Sequence, residues 1–169
     1  RDAKFGLFGW PELRASAINI DDPAGPELMA RLQGRRTVSY SLEAASGANI
    51  VALDVHAGPY GLVFNISREE GSLQMLTRLI GLHNVSNLLL VAGVLQELGW
   101  SLSRSARVLA GLRPVEGRLQ ILESDVGGAA GGPLVVVDYA HTPDALERAL
   151  HALRSVADAR GGKVACVFG

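Results

Sequence analysis

Asp138, Tyr139, His141 and Thr142 follow a run of valines in LVVVDYAHTP (134–143). A strand-to-helix turn needs a cap, but not an acid, a phenol and an imidazole in four consecutive positions. A carboxylate suits two vicinal hydroxyls, as on a ribose, and Tyr139 and His141 offer flat surfaces and hydrogen-bonding groups to a base. The same residues also fit a plainer role in which Asp138 and Thr142 cap the helix and Tyr139 packs. His83-Asn84-Val85-Ser86-Asn87 is a second candidate. Asn84 and Asn87 are three apart and share a helix face, and paired amides can read a purine edge. Alternatively Asn84 is an N-cap and Asn87 faces a loop. Arg118 follows Gly117 in a break in the pattern, where a guanidinium could reach across a cleft to phosphate or simply be solvated. Taken alone, Lys4 suggests no role, His83 reads as structural, and His56 and His151 sit on ordinary surfaces. Cys166 reads as an inert residue of a buried strand. The sequence contains no cysteine/histidine zinc spacing, no serine-centred elbow and no GxxxxGK[ST] phosphate loop.

The elements that must position these residues follow from periodicity. ASAINI (15–20) leads into Asp21-Asp22-Pro23, with Asp22 as N-cap and Pro23 as first residue of a helix carrying Leu28, Met29 and Leu32 to Gly34. Val51, Leu53 and Val55, then Leu62, Phe64 and Ile66, alternate with period two around Gly58-Pro59-Tyr60-Gly61, which predicts an antiparallel hairpin. A third strand is expected around 72–79. The run Val85 to Leu98 is apolar almost all round, so it predicts a helix buried between layers and ended by Gly99. Ser101 or Ser103 caps a short helix to Leu112. Residues 124–133 form a glycine-rich loop. LVVVD then reads as a strand buried on both faces of a parallel sheet. Thr142 and Pro143 open the next helix, and KVACVF (163–168) reads as a second buried strand. That is a βαβ unit, and in such sheets ligands bind off the carboxyl ends of the strands. A domain boundary falls within 113–118, giving units 1–113 and 114–169.

The 169 residues are 48% hydrophobic and 20% charged, with net charge -1. That supports a real core and gives no electrostatic signature of nucleic-acid or acidic-membrane binding. No apolar run reaches transmembrane length, so a protein without a membrane span is expected. One cysteine suits a reducing compartment. The chain begins at Arg1 and ends after a strand-like run, so both ends read as interior to a longer chain.

The ordered set of segments resembles the Mur ligases, ATP-dependent amide-forming enzymes of peptidoglycan synthesis. The residues that carry the resemblance are Ala3-Lys4 with Leu7-Phe8, Asn19 with Asp21-Asp22-Pro23, GLHNVSNLLL (81–90), PVEGRLQ (114–120), VVVDYAHTPDALE (135–147) and CVFG (166–169). The DYAHTPDALE form is similar to members that add the third stem-peptide residue, meso-diaminopimelate or lysine. The resemblance implies an α/β fold: part of a P-loop-type central ATPase domain, then the first βαβ of a Rossmann-like C-terminal domain. It implies that Asn84 and Asn87 contact adenine, that Asp138 binds the ribose with Tyr139, His141 and Thr142 around the nucleoside, and that Arg118 reaches the ATP phosphates. Lys4 matches a lysine that the family carbamoylates as a Mg²⁺ ligand. Asn19, Asp21 and Asp22 match a motif of less defined role, and His83 stands where the family often has Phe. The implied partners are ATP, Mg²⁺, UDP-MurNAc-L-Ala-D-Glu and an amino acid, in a monomeric enzyme of the bacterial cytoplasm. The missing phosphate loop makes the 169-residue chain by itself an expected non-catalyst. The alternatives are a folylpolyglutamate- or cyanophycin-type ligase, or a nucleotide-binding module without catalysis.

Overall fold

Residues 5–122 and 132–168 are described in the computed structural model. Lys4 and most of the glycine-rich segment 124–133 lie outside the described residues. Strand β1 (Ser16–Asn19), helix α1 (Ala24–Arg31) and strand β2 (Thr37–Ser41) form a parallel βαβ unit, with Ser16 opposite Thr37 and Asn19 opposite Tyr40. Ile18, Leu28 and Leu32 bury together and fasten α1 to β1. The helix begins one residue later than the sequence suggests. Pro23 is its N-cap, and Asp22 Oδ1 accepts the Ala24 N–H at 2.8 Å from outside the helix. Glycine is required at position 25, because a Cβ there would lie 2.1 Å from the Asn19 carbonyl oxygen.

β2 also pairs in parallel with β3 (Ile50–Gly58). From there β3, β4 (Gly61–Arg68) and β5 (Gly71–Thr77) form an antiparallel meander, completing a mixed five-stranded sheet in the order β1-β2-β3-β4-β5. The hairpin is where the turn residues predict it. The buried face of β3 differs from the sequence expectation: Ile50 and Ala52 are buried, whereas Val51, Leu53 and Val55 are only half-buried. Ala52 pairs with Ile66, which forces both side chains onto the core face. The register then shifts between Leu53 and His56, with Asp54 at φ +54°. Such a bulge redirects the side chains that follow it.

Helices α2 (Leu82–Glu97) and α3 (Leu102–Ala110) cover the meander. Phe64, Ile66, Met75, Val85, Leu88, Leu89 and Leu109 meet in the main core. α2 is not enclosed on all sides among the described residues, since Leu82 (59%), Val94 (44%) and Leu98 (71%) are exposed. Ser101 caps α3 by accepting the Arg104 N–H, and α3 ends at Ala110, short of Leu112.

Beyond α3 come β6 (Gln120–Leu122), β7 (Val135–Val137) and α4 (Pro143–Ala159). β7 pairs antiparallel with β6, Gln120 opposite Val137, and Val135 and Val137 are exposed. The expected strand at 163–168 does not form. Among the described residues it pairs with no strand, and Val167 and Cys166 are exposed. Cys166 is therefore not a core residue. Ile80, Leu119, Ala149 and Val156 form a small core of their own, packed by Ala57, Ala152 and Leu153, and this core joins α4 to the five-stranded sheet. Among the described residues no helix is long and apolar enough to cross a membrane.

Candidate nucleotide-binding site

Gly81 is the N-cap of α2, and its φ of +91° favours glycine. A Cβ at this position would also fall 2.6 Å from the His83 ring and 3.4 Å from Ala152 of α4. Asn84 therefore lies in the first helical turn and is not the cap. Its Nδ2 donates to the Ile80 carbonyl at 2.8 Å, which fixes the amide and aims Oδ1 at Asn87. Asn87 Nδ2 lies 3.4 Å from that oxygen. The two amides form one face, half-buried at Asn84 and exposed at Asn87.

The Arg118 turn and the Asp138 segment are laced together. Leu119 N–H donates to Asp138 Oδ2 at 2.9 Å, and Tyr139 N–H donates to the Gly117 carbonyl at 2.8 Å. Gly117 N–H in turn donates to Gln120 Oε1 at 2.9 Å. Leu119 takes a left-handed φ of +43°, a strained choice for a branched side chain, and is held there by its burial. Arg118 and Asp138 are both exposed at this rim. Tyr139 stands 74% exposed, its ring 5.4 Å from that of His141, whose Nδ1 meets the Tyr139 carbonyl at 3.1 Å. Thr142 Oγ1 accepts the Ala145 N–H with Pro143 next in line, the cap that the sequence predicts.

Partial burial holds the His83 imidazole below its ordinary value, opposed by the nearby Asp138 carboxylate. Asp138 thus acts on the first turn of α2. A depressed imidazole means that the unfolded chain binds this proton more tightly. Stability from neutral His83 is complete above the ordinary value of 6.5 and declines as pH falls below it. His83→Gln should therefore show a smaller loss of denaturation midpoint from about pH 7.5 to about 5.5, read by urea titration. An unchanged pH slope would contradict this assignment.

Asn19, Asp21 and Asp22 stand at the carboxyl ends of β1 and β2, where they brace the backbone. Asn19 Oδ1 accepts the Asp21 N–H at 2.9 Å, while the Asp21 carboxylate accepts the Ser41 hydroxyl and, at 2.8 Å, the Leu42 N–H. Burial pushes the Tyr40 phenol up; its hydrogen bond to Ser86 on α2 opposes the shift, and Asp21 and Asp22 reinforce it. Among the described residues no group of three or more His, Cys, Asp or Glu side chains could hold a metal ion.

Sequence reasoning missed a cleft of about 720 Å³ between β3 and α4, where His56, His83, Asp144, Glu147, Arg148 and His151 meet. The spacing of residues 144, 147, 148 and 151 marks one helix face, but only the folded chain brings His56 opposite to it.

Residues 1–95 match the family model for the Mur ligase middle domain, and residues 117–169 match that for the Mur ligase glutamate ligase domain. The chain belongs to the Mur ligase family. Among curated Mur ligases, it is 46% identical to the UDP-N-acetylmuramoyl-L-alanyl-D-glutamate–2,6-diaminopimelate ligase of Acidovorax sp. (strain JS42) over 99% of this chain and 32% of that relative. It is 42% identical to the enzyme of the same name from Janthinobacterium sp. (strain Marseille), over 99% of this chain and 34% of that one. A solved structure of a UDP-N-acetylmuramoyl-L-alanyl-D-glutamate–2,6-diaminopimelate ligase aligns over 91% of this chain and 31% of its own, at 30% identity and TM-score 0.76. The chain spans about a third of the length of the curated Mur ligases it matches.

Proposed function

We propose that the chain is the nucleotide-closing part of an ATP-dependent ligase that adds meso-diaminopimelate to UDP-MurNAc-L-Ala-D-Glu in the bacterial cytoplasm. In this reading residues 1–113 and 114–169 are the central and C-terminal units of a monomeric enzyme. The observation that carries the reading is the junction itself. The Asn84 and Asn87 amides are held as one face, and the Asp138 carboxylate acts electrostatically on His83, one residue from Asn84.

The donor set suits adenosine. Asn87, steered by Asn84, reads the adenine edge. Asp138 spends one oxygen on Leu119 N–H, and its other oxygen serves the ribose hydroxyls. Tyr139 and His141 flank the nucleoside, Thr142 holds the helix start beside it, and Arg118 offers its guanidinium to the phosphates. ATP supplies a phosphoryl group to the D-Glu carboxylate and leaves as ADP; the incoming amine then displaces inorganic phosphate. The chain's residues orient the nucleotide and offset charge on its phosphates. Lys4, as a carbamate, is the proposed Mg²⁺ ligand. The described residues gather no metal set, so none of the steps above is routed through the metal. Asn19, Asp21 and Asp22 serve as the brace beneath α2.

The test is ligation by the gene product as encoded, supplied with ATP, Mg²⁺, UDP-MurNAc-L-Ala-D-Glu and either meso-diaminopimelate or lysine. The expected product is the meso-diaminopimelate tripeptide with one ADP. Extension of a folate polyglutamate or of cyanophycin instead, or nucleotide binding with no ligation, would overturn the reading.

A further inference from the structure

Asp138 Oδ2 accepts the Leu119 N–H at 2.9 Å. That N–H belongs to the peptide joining Arg118 to Leu119, so the carboxylate grips the chain directly beside the arginine. Other bonds close the turn that precedes it. Arg118 N–H donates to the Val115 carbonyl at 3.0 Å, Gly117 N–H to Gln120 Oε1 at 2.9 Å, and Tyr139 N–H to the Gly117 carbonyl at 2.8 Å. None of these three engages the Arg118–Leu119 peptide.

That peptide needs a grip. Leu119 sits at φ +43°, in the left-handed region that a branched side chain avoids. Rotating the peptide about the line between its two Cα atoms would return φ to the extended region. Both Cα atoms stay in place in such a flip, so the Leu119 side chain can keep its seat beside Ile80, Ala149 and Val156. Burial fixes where that side chain lies; the bond to Asp138 fixes which way its peptide faces. A flip also changes ψ of Arg118 and swings its Cα–Cβ bond. Arginine is long, so a small swing at Cα is a large displacement of the guanidinium. We propose that Asp138 is also a positioning residue for Arg118: one carboxylate oxygen takes the ribose, and the other grips the peptide that aims the guanidinium at the phosphates. This rests on the nucleotide reading above. The lacing lies wholly within residues 115–139, so it does not depend on how α4 is seated against the five-stranded sheet.

The test is the ratio of ADP affinity to adenosine affinity, measured by calorimetric titration of the 169-residue chain. Both ligands carry the ribose, so loss of the ribose contact cancels and the ratio reads the phosphate contact. Arg118→Ala should lower the ratio about 10-fold, as when a charge-assisted hydrogen bond is lost. Asp138→Asn removes the charge but keeps an acceptor for Leu119 N–H, so its ratio should not fall below the parent's. Asp138→Ala removes the same charge and the acceptor too, so its ratio should lie about 10-fold below that of Asp138→Asn. Adding Arg118→Ala to Asp138→Ala should then change the ratio by less than about 2-fold, because the two losses are one. An Asp138→Ala ratio equal to that of Asp138→Asn overturns the positioning role, as does a full further loss in the double variant. An Arg118→Ala ratio equal to the parent's overturns the phosphate role of Arg118 and the positioning role with it. A parent chain that binds neither ligand overturns the nucleotide reading itself, and the positioning role falls with it.

Discussion

Asp138→Ala should weaken ADP binding by roughly 30- to 150-fold, as expected when a charged acceptor worth about 2–3 kcal/mol loses its hydroxyl partners. The fold should survive the change. Asp138 is exposed, and its internal duty is a single bond from Leu119 N–H at 2.9 Å. Asp138→Asn separates the two duties. It keeps an acceptor for Leu119 but removes the charge, so it should bind ADP poorly while unfolding at nearly the parental urea midpoint. Calorimetric titration with ADP and urea denaturation of both variants check this. Unchanged ADP affinity in Asp138→Ala would remove the ribose role. An equal loss of stability and affinity would reduce Asp138 to a brace for the Arg118 turn.

Phe64→Ala should cost about 3–5 kcal/mol, since the ring is 1% exposed and its removal leaves a cavity in the main core. Phe64 pairs with Met75 across the β4–β5 ladder and shares the main core with Val85, Leu88 and Leu89 of α2. A domain of this kind has about 5–15 kcal/mol in total, so the variant should sit near its unfolding threshold at 37 °C. It should lose nucleotide binding only because α2 no longer holds Asn84 and Asn87. Leu76→Ala, on the next strand with its side chain 60% exposed, should cost well under 1 kcal/mol. Comparable midpoints for the two variants in denaturant would contradict the assigned core.

These two substitutions also mark what was legible in the sequence. The Gly58–Gly61 turn between alternating apolar runs located the hairpin, and Thr142-Pro143 located the start of α4, because both signals act within a few residues. The face of β3 was not legible. A bulge at Asp54 interrupts its alternation, and cross-strand pairing with Ile66, not local pattern, puts Ala52 in the core. The apolar run at 163–168 satisfies every local criterion for a strand. Yet a strand also needs a partner to pair with, and among the described residues 163–168 pairs with none. Asp22 missed the cap position by one residue, since Pro23 took it and left the carboxylate bonding Ala24 from outside the helix. At the candidate site, residue types suggested the chemistry. The lacing of Leu119 to Asp138, and the cleft that His56 and His151 share, bring together residues 19 and 95 positions apart. No periodicity could reveal such pairs.

The most direct test is a titration of the isotope-labelled 169-residue chain with ADP, following the Asn84 and Asn87 side-chain amide signals together with the backbone signals of Asp138 and Tyr139. The account predicts that all four move along one binding curve with a single midpoint, because both units hold the same adenosine. Movement of either pair alone, or of the two pairs with separate midpoints, would contradict it.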